Sequence, residues 1–222
     1  MRVPPPHSAV RAALAPAYAP CRHFGACPQA VWRPETGHIP RGFLGAAGTL
    51  DEVELIIVSA EPGHPSLHRG DMDFSSLRGP EELLIGAAQV SWNRRTVPGH
   101  ADTFHKNFNW LLDRLWPGAA FADCMRRLWM TNARLCSVEA EIGPPPRTPC
   151  AETYLAAQIS LFPRAIVAAF GGKARRNLER LGIPHIGAFA LAPPGCNQRA
   201  ARPSWERVIA GVIERRSAQP AP

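Results

Sequence analysis

The stretch Val53-Glu54-Leu55-Ile56-Ile57-Val58-Ser59-Ala60-Glu61-Pro62-Gly63-His64-Pro65 decides the fold. Its run of apolar and β-branched residues reads as a strand buried on both faces, as in a parallel sheet. Glu-Pro-Gly ends the strand, because proline brings no N–H to a ladder and the Pro-Gly pair turns the backbone sharply. An acidic side chain is thereby lifted out at the carboxyl end of a central strand, where open α/β sheets place their ligands. Taken alone, Glu61 is either such a site residue or a loop carboxylate behind a core strand.

Leu128-Trp129-Met130-Thr131-Asn132 reads as a second buried strand, ending in an amide. Pro163 to Phe170 is a third, and Gly171-Gly172-Lys173-Ala174 turns it into a helix. That Gly-Gly-Lys lacks the spacing of a P-loop, so its glycines are read as a tight strand-to-helix turn. A weak fourth strand spans about 188–192. Helices are expected near Pro80–Val90, over Thr103–Trp116 with Thr103 as cap, from Cys150 onward, and at the end of the chain. The last carries a stripe of Trp205, Val208, Ile209, Val212 and Ile213 that reads as core packing. Strands alternating with helices imply an α/β fold: a three-layer α/β/α sandwich with a short parallel four-stranded central sheet.

A chain of 222 residues suits one domain with a sizeable core, and 45% hydrophobic with 19% charged residues excludes a disordered chain. Residues 1–20, with Pro4-Pro5-Pro6, Pro16 and Pro20, read as a flexible leader, 21–216 as the domain and 217–222 as a tail. No run is long enough to span a membrane, and no clean apolar segment marks a signal peptide, so a cytoplasmic monomer is expected. The net charge is +7, and the only lysines are Lys106 and Lys173. Arginine forks match phosphate oxygens and point to a polyanionic partner, although an arginine-rich genome would produce the same count. Six cysteines in a reducing compartment suggest metal binding or burial rather than disulfides. Cys21 and Cys27 stand close enough to share one centre, though their gap is not that of a CxxC pair.

Four landmarks then stand in one order: Glu61-Pro-Gly-His, Thr131-Asn132, the Cys136/Cys150 pair, and Phe170-Gly-Gly-Lys-Ala. Together, from about Cys21 to Arg215, they resemble the uracil-DNA glycosylase superfamily, nearest its iron–sulfur-containing bacterial and archaeal branch. The resemblance implies excision of uracil, or a related deaminated base, from DNA during base-excision repair. It makes Glu61 the catalytic candidate, since some branches carry the acid just before the motif proline; in others it stands one residue earlier, here Ala60. His64 is a candidate to position water or phosphate, or is a solvated turn histidine. Asn132 matches the amide that reads the flipped base, the alternative being a turn or helix cap. Phe74 is the candidate for stacking on that base, with Phe104 as rival. The resemblance also implies one 4Fe–4S cluster on Cys21, Cys27, Cys136 and Cys150, and a DNA-contacting loop with Asn197, Arg199 and Arg202.

One departure matters. Related chains carry a histidine after the last strand that stabilises the departing base, and here the matching text is Ala192-Pro193-Pro194-Gly195. A catalytically weak or inactive glycosylase-like nucleic-acid-binding protein is therefore the second reading. An unrelated α/β nucleotide enzyme is disfavoured, because no Gly-x-Gly-x-x-Gly or P-loop motif is present.

Overall fold

A computed structural model describes residues 2–27, 29–65, 73–138 and 149–218. The expected central strand is observed as β2 (Leu55–Ser59), and it occupies the middle of the sheet. On one side lies β3 (Leu128–Asn132), followed by a short β1 (Leu44–Gly45); on the other lie β4 (Ile166–Phe170) and β5 (Ile186–Ala188). All neighbours run parallel except β1 with β3. The sheet thus has five strands where four were expected. A two-residue edge strand is too short to carry a period of two, so no sequence pattern announces it.

Consecutive residues of β2, Leu55 to Val58, are fully buried. Since successive strand side chains point to opposite faces, both faces of the sheet are covered by other elements. The helices in chain order are α1 (Ser8–Leu14), α2 (Pro80–Thr96), α3 (Thr103–Leu115), α4 (Phe121–Arg127), α5 (Ala156–Ser160), α6 (Gly172–Arg180) and α7 (Ala201–Ala218). Helix α2 runs a turn and a half past the expected end, because Trp92 and Arg94 are buried and keep that turn packed. Its Glu81 and Glu82 in the first turn and Arg94 and Arg95 in the last suit the helix dipole. The cap of α3 is Asp102 rather than Thr103; its Oδ1 accepts from the His105 amide at 3.0 Å.

The flexible leader is corrected by the structure. Val10 and Leu14 of α1 are fully buried, each such burial contributing about 1.5–3 kcal/mol. The Tyr18 hydroxyl donates to the Pro40 carbonyl at 2.9 Å, and Tyr154 donates to that of Pro16 at 3.0 Å. The prolines sit in turns of a packed segment; their number alone does not distinguish that from an extended tail.

Two further contacts fix the sheet. The Gln158 side chain, wholly buried, accepts from Trp129 Nε1 at 3.1 Å and Thr131 Oγ1 at 2.8 Å and donates to Tyr154 O. The chain leaves β2 toward β3 and leaves β4 toward β5, on the opposite side of the sheet. The crevice between the carboxyl ends of β2 and β4 is therefore a topological switch point, the place where such sheets hold ligands.

Candidate functional site

Hydrogen bonding continues past the strand ends: Ala133 N donates to Ser59 O at 2.8 Å and Arg134 N to Ala60 O at 3.0 Å. Ser59 pairs with Asn132 in the sheet, so two residues farther on Glu61 lies level with Arg134. From the other side, β4 is followed by Gly171, the N-cap residue of α6, with φ of +100°. That turn delivers Lys173. Its Nζ donates to Glu61 Oε1 at 2.8 Å, while Arg134 Nη1 stands 3.8 Å from Oε2. The second distance is an ion pair and not a hydrogen bond, which leaves Oε2 able to accept from a ligand or water.

These strand ends surround a cavity of about 820 Å³, lined among others by Glu61, Asn132, Lys173 and Phe170. Asn132 is 3% exposed, and its Nδ2 donates to the carbonyls of Arg41 and Gly42, each at 3.0 Å. Both amide hydrogens are thus committed to backbone, and the group Asn132 offers a ligand is the acceptor Oδ1. Gly42 makes this close approach possible: its φ is +79°, and a Cβ there would lie 2.5 Å from Asn132 Nδ2. Arg41 braces the opposite strand end by donating from Nη2 to the Gly63 carbonyl. Burial, and then repulsion from Arg94, lowers its guanidinium pKa to about 10.

The structure brings Glu61, His64, Asn132 and Phe74 to this one cavity, together with Phe104. Phe74 is 3% exposed, whereas Phe104 is only partly buried and stacks at 9° on Phe108. The turn residue His64 is exposed; its Nδ1 donates to Pro65 O at 2.8 Å, and its ring meets His38 edge-on at 5.1 Å. At the far wall, burial disfavours the Asp102 carboxylate, but hydrogen bonds from His105 hold it below the usual carboxylate range.

The last loop reaches the cavity through Ala192 to Gly195. Asn197 and Arg199 are exposed beyond that rim. Arg202 is committed elsewhere: its guanidinium lies 4.1 Å from the Trp110 ring centre and 4.8 Å from that of Trp205, and Nη2 donates to Asn107 Oδ1 at 3.3 Å. Asn107 in turn donates to Leu191 O at 2.8 Å, so this stack ties α3 to the loop. Among the residues that line the cavity there is none of Asn197, Arg199 and Arg202.

The four cysteines expected as ligands, Cys21, Cys27, Cys136 and Cys150, surround one small cavity of about 10 Å³, together with His23 and Arg134. All are free thiols. Burial and then the neighbouring thiols push Cys136 far above the usual thiol range; Cys150, mainly through burial, is pushed up to about 12. Arg134 pulls Cys27, Cys136 and Cys150 the other way. Among the described residues no three such side chains already stand at the distances of a bound metal ion. The donor set still fits a thiolate-bound centre, because the thiols of buried Cys136 and partly buried Cys21, Cys27 and Cys150, from three separate segments, line one small cavity. Much of the proline-rich segment between Cys136 and Cys150, and His68, Arg69 and Asp71, lie outside the described residues.

Lys173 and Arg134 were not singled out by the sequence reading. Lysine in the first turn of a helix opposes the dipole, and that unfavourable placement is the one local signal that Lys173 serves something other than its helix. No protein-family model matches this chain, and no curated protein matches its sequence. Among the described residues no helix is long and apolar enough to cross a membrane.

Proposed function

We propose that this chain is a uracil-DNA-glycosylase-like hydrolase that cleaves the N-glycosidic bond of uracil, or a related deaminated base, in DNA. The observation that carries the reading is that Glu61 and Asn132, on adjacent strand ends, face one cavity of about 820 Å³ at the switch point of the sheet. The flipped nucleotide enters that cavity, at an unstacking cost of a few kcal/mol. Phe104 and Phe74 offer faces for the base, and Asn132 Oδ1 accepts from its ring N–H. Glu61, steadied through Oε1 by Lys173, uses Oε2 to orient the attacking water toward the sugar carbon.

Bond cleavage leaves negative charge on the departing base. The histidine that answers this charge in related chains is replaced by Ala192, and Ala192 and Lys173 line the same cavity. With Glu61 flanked by Lys173 and Arg134, two cations stand around one carboxylate. Lys173, held in place by Glu61, is suited to face a leaving anion from a site that needs no reorganisation. The four cysteines would hold a 4Fe–4S cluster, which when bound would cross-link the segments before β1, after β3 and ahead of α5. Arginine-rich surface supplies salt-sensitive attraction to the DNA backbone. Reduced cysteines fit a cytoplasmic protein acting as a monomer.

The same pairing favours a second reading. A carboxylate neutralised on both oxygens, with no motif histidine, also suits a protein that binds deaminated DNA without turnover. Single-turnover incubation with uracil-containing oligonucleotides, followed by alkaline cleavage of abasic sites, separates the two. Excision is expected, with Lys173→Met slowing it by about 10²-fold. Replacing uracil by 5-fluorouracil, a better leaving base, should shrink that loss. Binding without excision of any deaminated base would leave the second reading.

A further inference from the structure

We propose that His105, oriented by Asp102, is a further catalytic residue of the Glu61 cavity, giving the departing base a proton from Nε2 in place of the histidine that Ala192 replaces. The inference rests on the glycosylase reading and supplies it with a proton donor. Lys173, engaged by Glu61 at 2.8 Å, meets the leaving anion with charge; an imidazole is the side chain suited to give up a proton and take one back.

His105 stands in the first turn of α3, where a side chain able to carry positive charge opposes the helix dipole. Asp102, the cap of that helix, meets it: Oδ1 accepts from the ring Nδ1 at 2.6 Å and from the His105 amide at 3.0 Å. Burial disfavours the Asp102 carboxylate, yet hydrogen bonds from His105, and then the charges of His105 and Arg94, hold it below the usual carboxylate range. An ionised Asp102 accepts and cannot donate, so Nδ1 carries a hydrogen and the ring's working atom is Nε2. Among the described residues Nε2 has no hydrogen-bond partner, and the side chain is 15% exposed, so little water competes for it. Its neighbour Phe104, one of the faces offered to the base, meets the His105 ring edge-on with centres 5.2 Å apart. Asn107 Nδ2 donates to Leu191 O at 2.8 Å, which draws the first turns of α3 against the segment of Ala192. Asp102, Phe104, His105 and Ala192 line one cavity with Glu61; Arg94 and His100 are the other groups of that cavity able to carry positive charge from the same stretch of chain. In the step, the water oxygen bonds to the sugar carbon and its proton passes to Glu61. The bond from that carbon to the base nitrogen breaks, its electron pair leaves with the base, and the Nε2 proton passes to a base oxygen. His105 ends neutral, still donating from Nδ1 to Asp102; solvent takes the proton from Glu61 and returns one to His105.

The test is single-turnover excision by the full-length protein from oligonucleotides carrying uracil or 5-fluorouracil, beside a binding titration on a non-cleavable uracil analogue. His105→Ala should slow uracil excision by about 10²-fold, while binding falls far less. The loss should shrink with 5-fluorouracil, the better leaving base, and added imidazole should restore part of the rate to His105→Ala and none to the parent. His105→Gln, whose amide donates a hydrogen bond but no proton, should fall between the parent and His105→Ala. Asp102→Ser keeps a helix cap and removes the carboxylate that orients the ring. It should slow excision by less than His105→Ala does, and adding it to His105→Ala should change little further. If His105→Ala does not fold, His105→Gln carries the same comparison between the two bases. Excision by His105→Ala at the parent rate, or a loss that is equal for both bases and not relieved by imidazole, overturns the role of His105 alone. A parent that excises no base overturns the glycosylase reading and this inference together.

Discussion

The Glu61 cavity and the four-cysteine cavity sit on either side of Arg134 and are built in opposite ways. The larger, about 820 Å³, is open in its native state, and its polar groups are already braced: Glu61 by Lys173, Asn132 by the carbonyls of Arg41 and Gly42. The smaller, about 10 Å³, is lined by four thiols, and burial opposes deprotonation of Cys27, Cys136 and Cys150. One is prepared for a visitor that leaves, the other for a ligand that stays. The difference follows from the local structure. Strand ends and glycine turns hold the first, whereas the second is assembled from three segments distant in sequence: the turn around Cys21–Cys27, the stretch after β3 and the helical turn that begins at Cys150.

The largest expected effect tests whether the open cavity performs chemistry. Glu61→Gln should slow uracil excision by about 10²–10⁴-fold while uracil-containing DNA still binds. Single-turnover rates beside a binding titration measure both, and an unchanged rate would reduce Glu61 to a loop carboxylate.

The closed cavity should respond in stability and not in recognition. Cys150→Ser is expected to lower iron content to background and to drop the melting temperature of iron-loaded protein by roughly 5 °C or more, each kcal/mol being worth about 2–4 °C in a chain of this size. Equal iron and equal melting would show that the thiols are only packed, and the contrast between the cavities would vanish.

A smaller effect sharpens the role of the brace. Gly42→Ala places a Cβ 2.5 Å from Asn132 Nδ2 and holds a left-handed φ of +79°. The strain should cost about 1–2 kcal/mol of folding stability. Because Asn132 must shift, discrimination between uracil and thymine should also fall, by about tenfold where one well-placed hydrogen bond to the base is weakened. Discrimination that survives intact would mean that Asn132 reads no base.

The smallest effects separate Arg199 of the last loop from Arg202 in the first turn of α7. Arg202→Ala should lose about 1 kcal/mol of stability, through its stacking on Trp110 and Trp205. Arg199→Ala should leave stability unchanged and reduce the salt slope of DNA binding by about one. A reversal of the two would place the DNA-facing surface on α7 rather than on the loop.

What local pattern carries was legible in the chain. The apolar runs Leu55–Val58 and Leu128–Thr131 were readable as buried strands because burial on both faces requires continuous apolar text. Glu61 and Asn132 stood out because polar side chains that end such runs project from the carboxyl edge of the sheet. The leader was misread, since proline density is the same for a packed segment of turns as for a tail; the buried Val10 and Leu14 are too few to show a period. The neighbours of Arg202 were not legible for a related reason: an exposed arginine does not reveal that Trp110, on α3, and Trp205, one turn along α7, flank it.

The sequence by itself determined that the chain is α/β, which strand is central, and which acid and amide end their strands, because these follow from neighbours a few residues apart. Tertiary structure alone decided what those residues meet. Lys173 lies 112 positions from Glu61 and reaches it only because β4 pairs beside β2, and Arg134 reaches it only because the register of β2 and β3 continues beyond their ends. Strand order and register are set by the packing of the whole sheet, a long-range balance that no local run of residues records.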